Sequence, residues 1–140
     1  MRKVHVDDVA AVRGRGGDIR VLLSPRTVGA TSGFMGVATL DPGQTIGEHY
    51  HPYSEEFLFV VRGCVLLRVD DGPELAVGAD ECVMVPRGAH HSLRNTGAEP
   101  AFAVFHASPL APRPDLGHVD VAPVRADLLL PQVGGPDGAS

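Results

Sequence analysis

From residue 19 to about residue 108, apolar residues fall in short runs rich in valine, leucine and phenylalanine, each cut off by turn residues. The runs at 19–23, 34–40, 56–61, 64–69, 81–85 and 101–106 carry the β-branched and aromatic content that favours strands. Asp41-Pro42-Gly43, Arg62-Gly63, Asp70-Asp71-Gly72-Pro73 and Asn95-Thr96-Gly97 separate them, all with turn chemistry. No amphipathic helix of useful length interrupts the series. Strands at this spacing predict an all-β sandwich or barrel. Alternate residues of a strand share a face, so the pattern also predicts an apolar lining: Leu58, Val60, Leu67, Val83, Phe102 and Val104 are expected to point inward.

The pattern breaks at residue 109, where Pro109, Pro112, Pro114, Pro123, Pro131 and Pro136 interrupt every periodicity. The expected organisation is one domain, with a barrel and its N-terminal arm over 1–108 and a proline-rich extension over 109–140. Within the extension, 124–130 has the composition of a short helix or strand, and the last eight residues are expected to fray. A length of 140 residues fits a single domain. The net charge of −5 gives nucleic-acid binding no electrostatic support. Cys64 and Cys82 make neither a C-x-x-C pair nor a disulfide framework, and are expected to be buried, reduced thiols. The first residues lack the apolar core of a signal peptide, and no apolar run approaches the ~20 residues of a membrane span. The expectation is a soluble, cytoplasmic protein without a membrane or nucleic-acid partner. An arm and a tail that can wrap a second copy point to a homodimer.

The chemistry is concentrated in Gly43-Gln-Thr-Ile-Gly-Glu-His49-Tyr-His51-Pro-Tyr-Ser-Glu55-Glu56 and in Pro86-Arg-Gly88-Ala-His90-His91. On a strand, His49 and His51 aim both imidazoles at one point. Glu56 stands seven residues before the turn glycine Gly63 and shares parity with Leu58 and Val60, whereas Glu55 faces the other way. The Pro86-x-Gly88 turn favours His91 over His90 as the inward ring. Three imidazoles and a carboxylate suit zinc, iron, manganese, nickel or copper(II). Such distant positions meet only if the sheet curls, as in a small barrel. His106 ends a run whose parity partners are Phe102 and Val104; a fourth ligand, a partner to a ligand and an ordinary core histidine all stay open. His5 and His118 have no such company and are expected at the surface.

These segments resemble the paired motifs of the cupin superfamily. The first motif, G-x5-H-x-H-x4-E-x6-G, is met at Gly43, His49, His51, Glu56 and Gly63. The second, G-x5-P-x-G-x2-H-x3-N, is met at Pro86, Gly88, His91 and Asn95, with Asp80 in place of its opening glycine. Asp tolerates left-handed turn geometry better than most residues. The resemblance implies a cupin double-stranded β-helix, a jelly-roll barrel with the metal inside, usually dimeric. The stretch from Val12 to Gly36, followed by His49-Tyr-His-Pro-Tyr-Ser-Glu-Glu-Phe, looks like the small single-domain cupin cyclases of aromatic polyketide pathways, the resistomycin and tetracenomycin cyclase type.

That resemblance implies a poly-β-ketone or a partly cyclised intermediate as substrate, delivered on an acyl carrier protein of a polyketide synthase, and an intramolecular aldol condensation with dehydration. A metal would polarise a ketone as a Lewis acid. His106 and Tyr53 are then candidate proton carriers, as is Glu56 if it does not ligate. No redox step is needed, so zinc is the first choice for a single divalent ion, with iron, manganese and nickel open. The rival enzyme reading is a metal-dependent dioxygenase or quinone-forming monooxygenase. The third is a non-catalytic, small-molecule-binding cupin.

Overall fold

The computed structural model describes residues 1–128. Its strands are β1 (Asp18–Leu23), β2 (Phe34–Leu40), β3 (Thr45–Tyr50), β4 (Glu55–Arg62), β5 (Cys64–Val69), β6 (Leu75–Gly78), β7 (Cys82–Val85), β8 (His91–Arg94), β9 (Ala101–Ser108) and β10 (Val119–Asp120). The only α-helical segment among the described residues is one turn, α1 (Pro25–Val28), capped by Ser24. No helix among them is long and apolar enough to cross a membrane.

The strands form two antiparallel sheets, ordered β1-β2-β9-β4-β7 and β10-β3-β8-β5-β6. Partners nest along the chain: β2 with β9, β3 with β8, β4 with β7 and β5 with β6. Successive nested pairs fall in opposite sheets, so one long antiparallel ribbon is wound into a barrel. This is the double-stranded β-helix. The turns that wind it use left-handed backbone at Gly43 and Gly63, and also at Asp80, whose φ is +68° where the motif would place a glycine.

Both sheets contribute to one apolar core, including Leu40, Leu58, Val60, Val65, Leu67, Val77, Val85 and Phe105. The expected inward faces of β4 and β5 are therefore correct. That of β9 is reversed. Ala101, Ala103, Phe105 and Ala107 are the buried row, while Phe102, Val104 and His106 lie on the outer face. Bulk misleads here, because both parities of β9 are apolar and the small alanines sit inside. They do so because they lie across from larger inner residues: Ala101 from Leu40, and Ala107 from Phe34 and Glu56. The cysteines also differ from expectation: Cys64 and Cys82 are both free and exposed, on the outward parity of β5 and β7. Of the 124–130 segment, Ala126–Leu128 form a 3₁₀ turn. Residues 129–140, including the stretch expected to fray, lie outside the described residues.

Asn95, in the second motif, is 1% exposed and ties three segments together. Its Nδ2 donates to the Leu40 and Glu99 carbonyls at 2.9 and 2.8 Å, and its Oδ1 accepts from the Gly97 N–H at 2.9 Å. Asn95→Ala strands these buried backbone groups. It is expected to lower stability by about 1–3 kcal/mol, seen as a lower urea midpoint with an unchanged slope.

Candidate metal centre

His49 and His91 are direct cross-strand partners of β3 and β8, and such partners project from the same side of the sheet. A register shift between Ile46 and His49 keeps both of these residues buried, although they stand three apart. His51 follows the end of β3, where its carbonyl accepts from the Gly88 N–H at 2.9 Å. That contact joins the two motifs through the Pro86-x-Gly88 turn. Glu56 enters from β4 in the facing sheet. His49, His51, Glu56 and His91 each offer a ligand atom, and these atoms all lie within 4.8 Å of one another.

The three imidazoles are oriented alike. Nδ1 of His49, His51 and His91 donates to the carbonyls of Gly47, Gly117 and Ala89 at 2.7, 2.9 and 2.9 Å. A carbonyl can only accept, so Nδ1 carries a proton and Nε2 is left as the inward atom. Glu56 Oε2 lies 2.7 Å from His91 Nε2 and 3.6 Å from His51 Nε2. Burial alone would raise the Glu56 pKa. Hydrogen bonds from His51 and His91, with their charge, instead hold it well below the usual carboxylate range. Burial would lower the His51 pKa, but the hydrogen bond and charge of Glu56 outweigh it and raise it. His49 is pushed down to about 3 by burial and by the neighbouring His91 and His118, so its ring is neutral at ordinary pH.

This donor set fits a divalent ion. Metal–nitrogen bonds of about 2.0–2.1 Å place ligand atoms up to roughly 4 Å apart, and the Nε2–Oε2 separations from His51 and His91 to Glu56 fall in that range. An ion would require these Nε2 atoms free of the protons they otherwise give to Glu56; three neutral imidazoles and one carboxylate would then bring a single negative charge. Deprotonated Nε2 atoms held by Nδ1–H···O=C bonds are how ligand histidines are ordinarily supported.

The cluster borders a cavity with about 70 Å³ of free space, whose other walls are mostly apolar and include Val21, Phe34, Leu58 and Phe105. Of the six expected lining residues, Leu58 alone reaches it. Val60 and Leu67 are buried deeper in the core, Val83 is half-buried across from Leu58, and Phe102 and Val104 face outward. Tyr53 is exposed and lies off the cavity wall, and His106 packs against Phe57 on the outer face of β9 and β4. Neither proton carrier named from the sequence reaches the site. His90 also points away, stacked flat on Tyr50 and 3.6 Å from Glu48.

Three residues at the site were missed. His118, expected at the surface, has a side chain only 8% exposed and stacked on His49, with ring centroids 4.6 Å apart and planes within 7°. Its Nε2 meets Asp120 Oδ1 at 2.7 Å. Arg15, from the arm, donates Nε to both Asp120 oxygens at 3.0 and 3.3 Å. Burial lowers the His118 pKa. It would raise that of Asp120, yet His118 and Arg15 together bring Asp120 to about 2. The available signal was a second pair two residues apart, His118-x-Asp120, but prolines and the brevity of β10 hid it.

Comparison with known proteins agrees with this architecture. The cupin-domain family profile matches residues 36–106. The protein named polyketide synthase CurC, of Streptomyces cyaneus, is 56% identical over 90% of this chain and 82% of its own length. The tetracenomycin polyketide synthase protein TcmJ, of Streptomyces glaucescens, is 46% identical over 95% of this chain and 89% of its own. A Klebsiella pneumoniae protein with a double-stranded β-helix domain superposes with a TM-score of 0.67 at 24% identity, covering 85% of this chain and 90% of that one. Oxalate decarboxylase of Lactobacillus farciminis gives 0.71 at 20% identity, over 84% of this chain and 35% of that one. The two structures show the fold alone. With the profile spanning half the sequence and the strands nested as described, this chain belongs to the cupin superfamily, in the group that contains CurC and TcmJ.

Proposed function

We propose that this protein is a metal-dependent aromatic polyketide cyclase, which closes a ring of a poly-β-ketone by intramolecular aldol condensation and dehydration. The observation that carries the reading is the convergence of His49, His51, Glu56 and His91 beside a cavity whose remaining walls are mostly apolar. The polyketide synthase relatives support it. A divalent ion held there supplies Lewis acidity toward a ketone oxygen. Zinc is the first choice, because an aldol step moves no electrons between metal and substrate; iron, manganese and nickel suit the same ligands.

The reaction balances without an oxidant. A methylene between two ketones loses a proton, its carbon bonds to a carbonyl carbon farther along the chain, and the new alkoxide takes a proton. Water then leaves as the ring aromatises. The chain's own contribution is placement. The Nδ1–H···O=C bonds fix the ligand rings, His118 backs His49, and the apolar walls exclude water and hold the reacting segment in one register. At about 70 Å³, the cavity takes the reacting end of a substrate and leaves the rest outside. A synthase-made chain on its carrier protein is the natural form of delivery. In an anaerobic reconstitution with such a chain, the protein should convert self-cyclised shunt products into one aromatic product. An unchanged product mixture argues against the cyclase, and a strict oxygen requirement favours the oxygenase reading.

The outer face of the β1-β2-β9-β4-β7 sheet supports a homodimer. Phe57, Phe59 and Met84 are 43%, 41% and 46% exposed there, around a groove that includes Met35, Val104 and His106. An open apolar sheet face of this kind is a docking surface rather than a solvent face. Light scattering is expected to give twice the chain mass, and Phe57→Lys should return the monomer. A monomeric parent protein removes this part of the reading.

A further inference from the structure

One charged group of the cavity, Arg15, belongs neither to the ligand cluster nor to the aldol steps. Among the described residues that line the cavity, Arg15 alone carries a permanent positive charge. Its position is fixed on three sides. Its carbonyl accepts from the Gly47 N–H at 3.0 Å. Gly16, next in sequence, has φ +97°, and a Cβ there would lie 1.7 Å from the Thr45 carbonyl oxygen. Only glycine lets the arm approach β3 so closely. Finally, Nε is held by Asp120, which is itself shared with His118. The side chain is 13% exposed. No residue among those described accepts a hydrogen bond from Nη1 or Nη2, and no fully buried side-chain nitrogen lacks a partner. The Nη groups are thus free of protein acceptors among the described residues, and Arg15 is one of the residues that line the cavity.

A guanidinium presents paired N–H groups that match two oxygens in one plane. Carboxylates offer that geometry, and so does the enolate of a 1,3-dicarbonyl. We propose that Arg15 is a substrate-binding residue that grips the paired oxygens of a 1,3-dicarbonyl enolate within the cavity shared with the His49–His51–Glu56–His91 cluster. This rests on the cyclase reading and adds a specificity element to it. Arg15 selects the acidic dicarbonyl unit of the chain over an isolated ketone. It also stabilises the negative charge that develops when the methylene proton leaves. Asp120 and His118 act as positioning residues, turning the guanidinium's Nη edge inward.

The test is binding rather than turnover. The metal-loaded protein is titrated with a dione whose acetyl and ring oxygens lie on one side, 2-acetylcyclohexane-1,3-dione, an enolate at neutral pH, and with cyclohexanone, which has one carbonyl. The parent protein should bind the dione more tightly, and Arg15→Met should lose about 10-fold to 100-fold of dione affinity with its metal content unchanged. Cyclohexanone binding should not move. Arg15→Lys keeps a cation for Asp120 and so guards against a folding defect; without the fork it should show a loss between those of parent and Arg15→Met. If either variant holds the dione as tightly as the parent protein, Arg15 is not the grip and the inference fails, while the cyclase reading stands. A parent protein that prefers neither probe sinks the dicarbonyl substrate class itself, and the inference with it.

Discussion

His91→Ala is expected to leave the protein unable to retain a stoichiometric divalent ion and without cyclase activity. The ring occupies the centre of the cluster, facing His49 across β3 and β8 and lying 2.7 Å from Glu56. Changing a group that merely supports a ligand already costs about 10–100-fold in affinity, so removing a ligand outright should cost more. Metal analysis after chelation, reloading and desalting reads this directly. A second effect separates the site's electrostatics from its ligation. Without His91, Glu56 keeps only His51, 3.6 Å away, as an ion-pair partner within the cluster. A buried carboxylate deprived of its nearest partner destabilises the metal-free protein by about 2–4 kcal/mol. Adding Glu56→Gln removes that charge, so the double variant should be more stable than His91→Ala alone while still binding no metal. Full metal retention by His91→Ala would place the ion elsewhere.

The parts of this site that could be read in advance are those set by the period of a strand and the position of a turn. His49-x-His51 share a side because alternate residues do. Gly63 fixes the phase of β4, and with it the choice of Glu56 over Glu55. Pro86-x-Gly88 delivers His91 inward and His90 out to Tyr50. The barrel was legible for a related reason: each run of apolar residues ends in a residue able to turn, and Asp80 takes up left-handed backbone where a glycine would be ordinary. Alternation failed where it carried no contrast. In β9 both parities are apolar, so bulk favours Phe102 and Val104 over the alanines actually buried. That reversal carried His106 out of the site. Polar strands were hidden as well. β8 opens on a histidine and ends on an arginine, and β10 is two residues long. Arg15, His118 and Asp120 meet only because the arm and the extension converge beside β3, and no local pattern encodes a meeting of segments a hundred residues apart.

Ending the chain after Leu116 is expected to damage the metal centre although it removes none of the four ligands. The deletion takes away the Gly117 carbonyl that holds His51 Nδ1, the ring stacked on His49, and the carboxylate that pairs with Arg15. It also removes β10 from the edge of β3, where the Val121 and Ala122 N–H groups both donate to the Glu48 carbonyl. Arg15 would then be a half-buried cation without its partner, and His51 a buried ring free to rotate. Together these should lower stability by about 2–4 kcal/mol and metal affinity by about 10–100-fold. Denaturant titration of the metal-free chain and a competition assay against a chelator would measure the two effects separately. His118→Phe supplies the finer cut, since it keeps a flat ring against His49 but breaks the link to Asp120. It should retain most of the metal affinity while loosening Arg15, so its dione binding should weaken more than its metal binding. If the shortened chain bound metal as tightly as the full one and unfolded at the same denaturant concentration, the extension would be a passenger. The ligand rings would then take their orientation from the two cupin motifs alone.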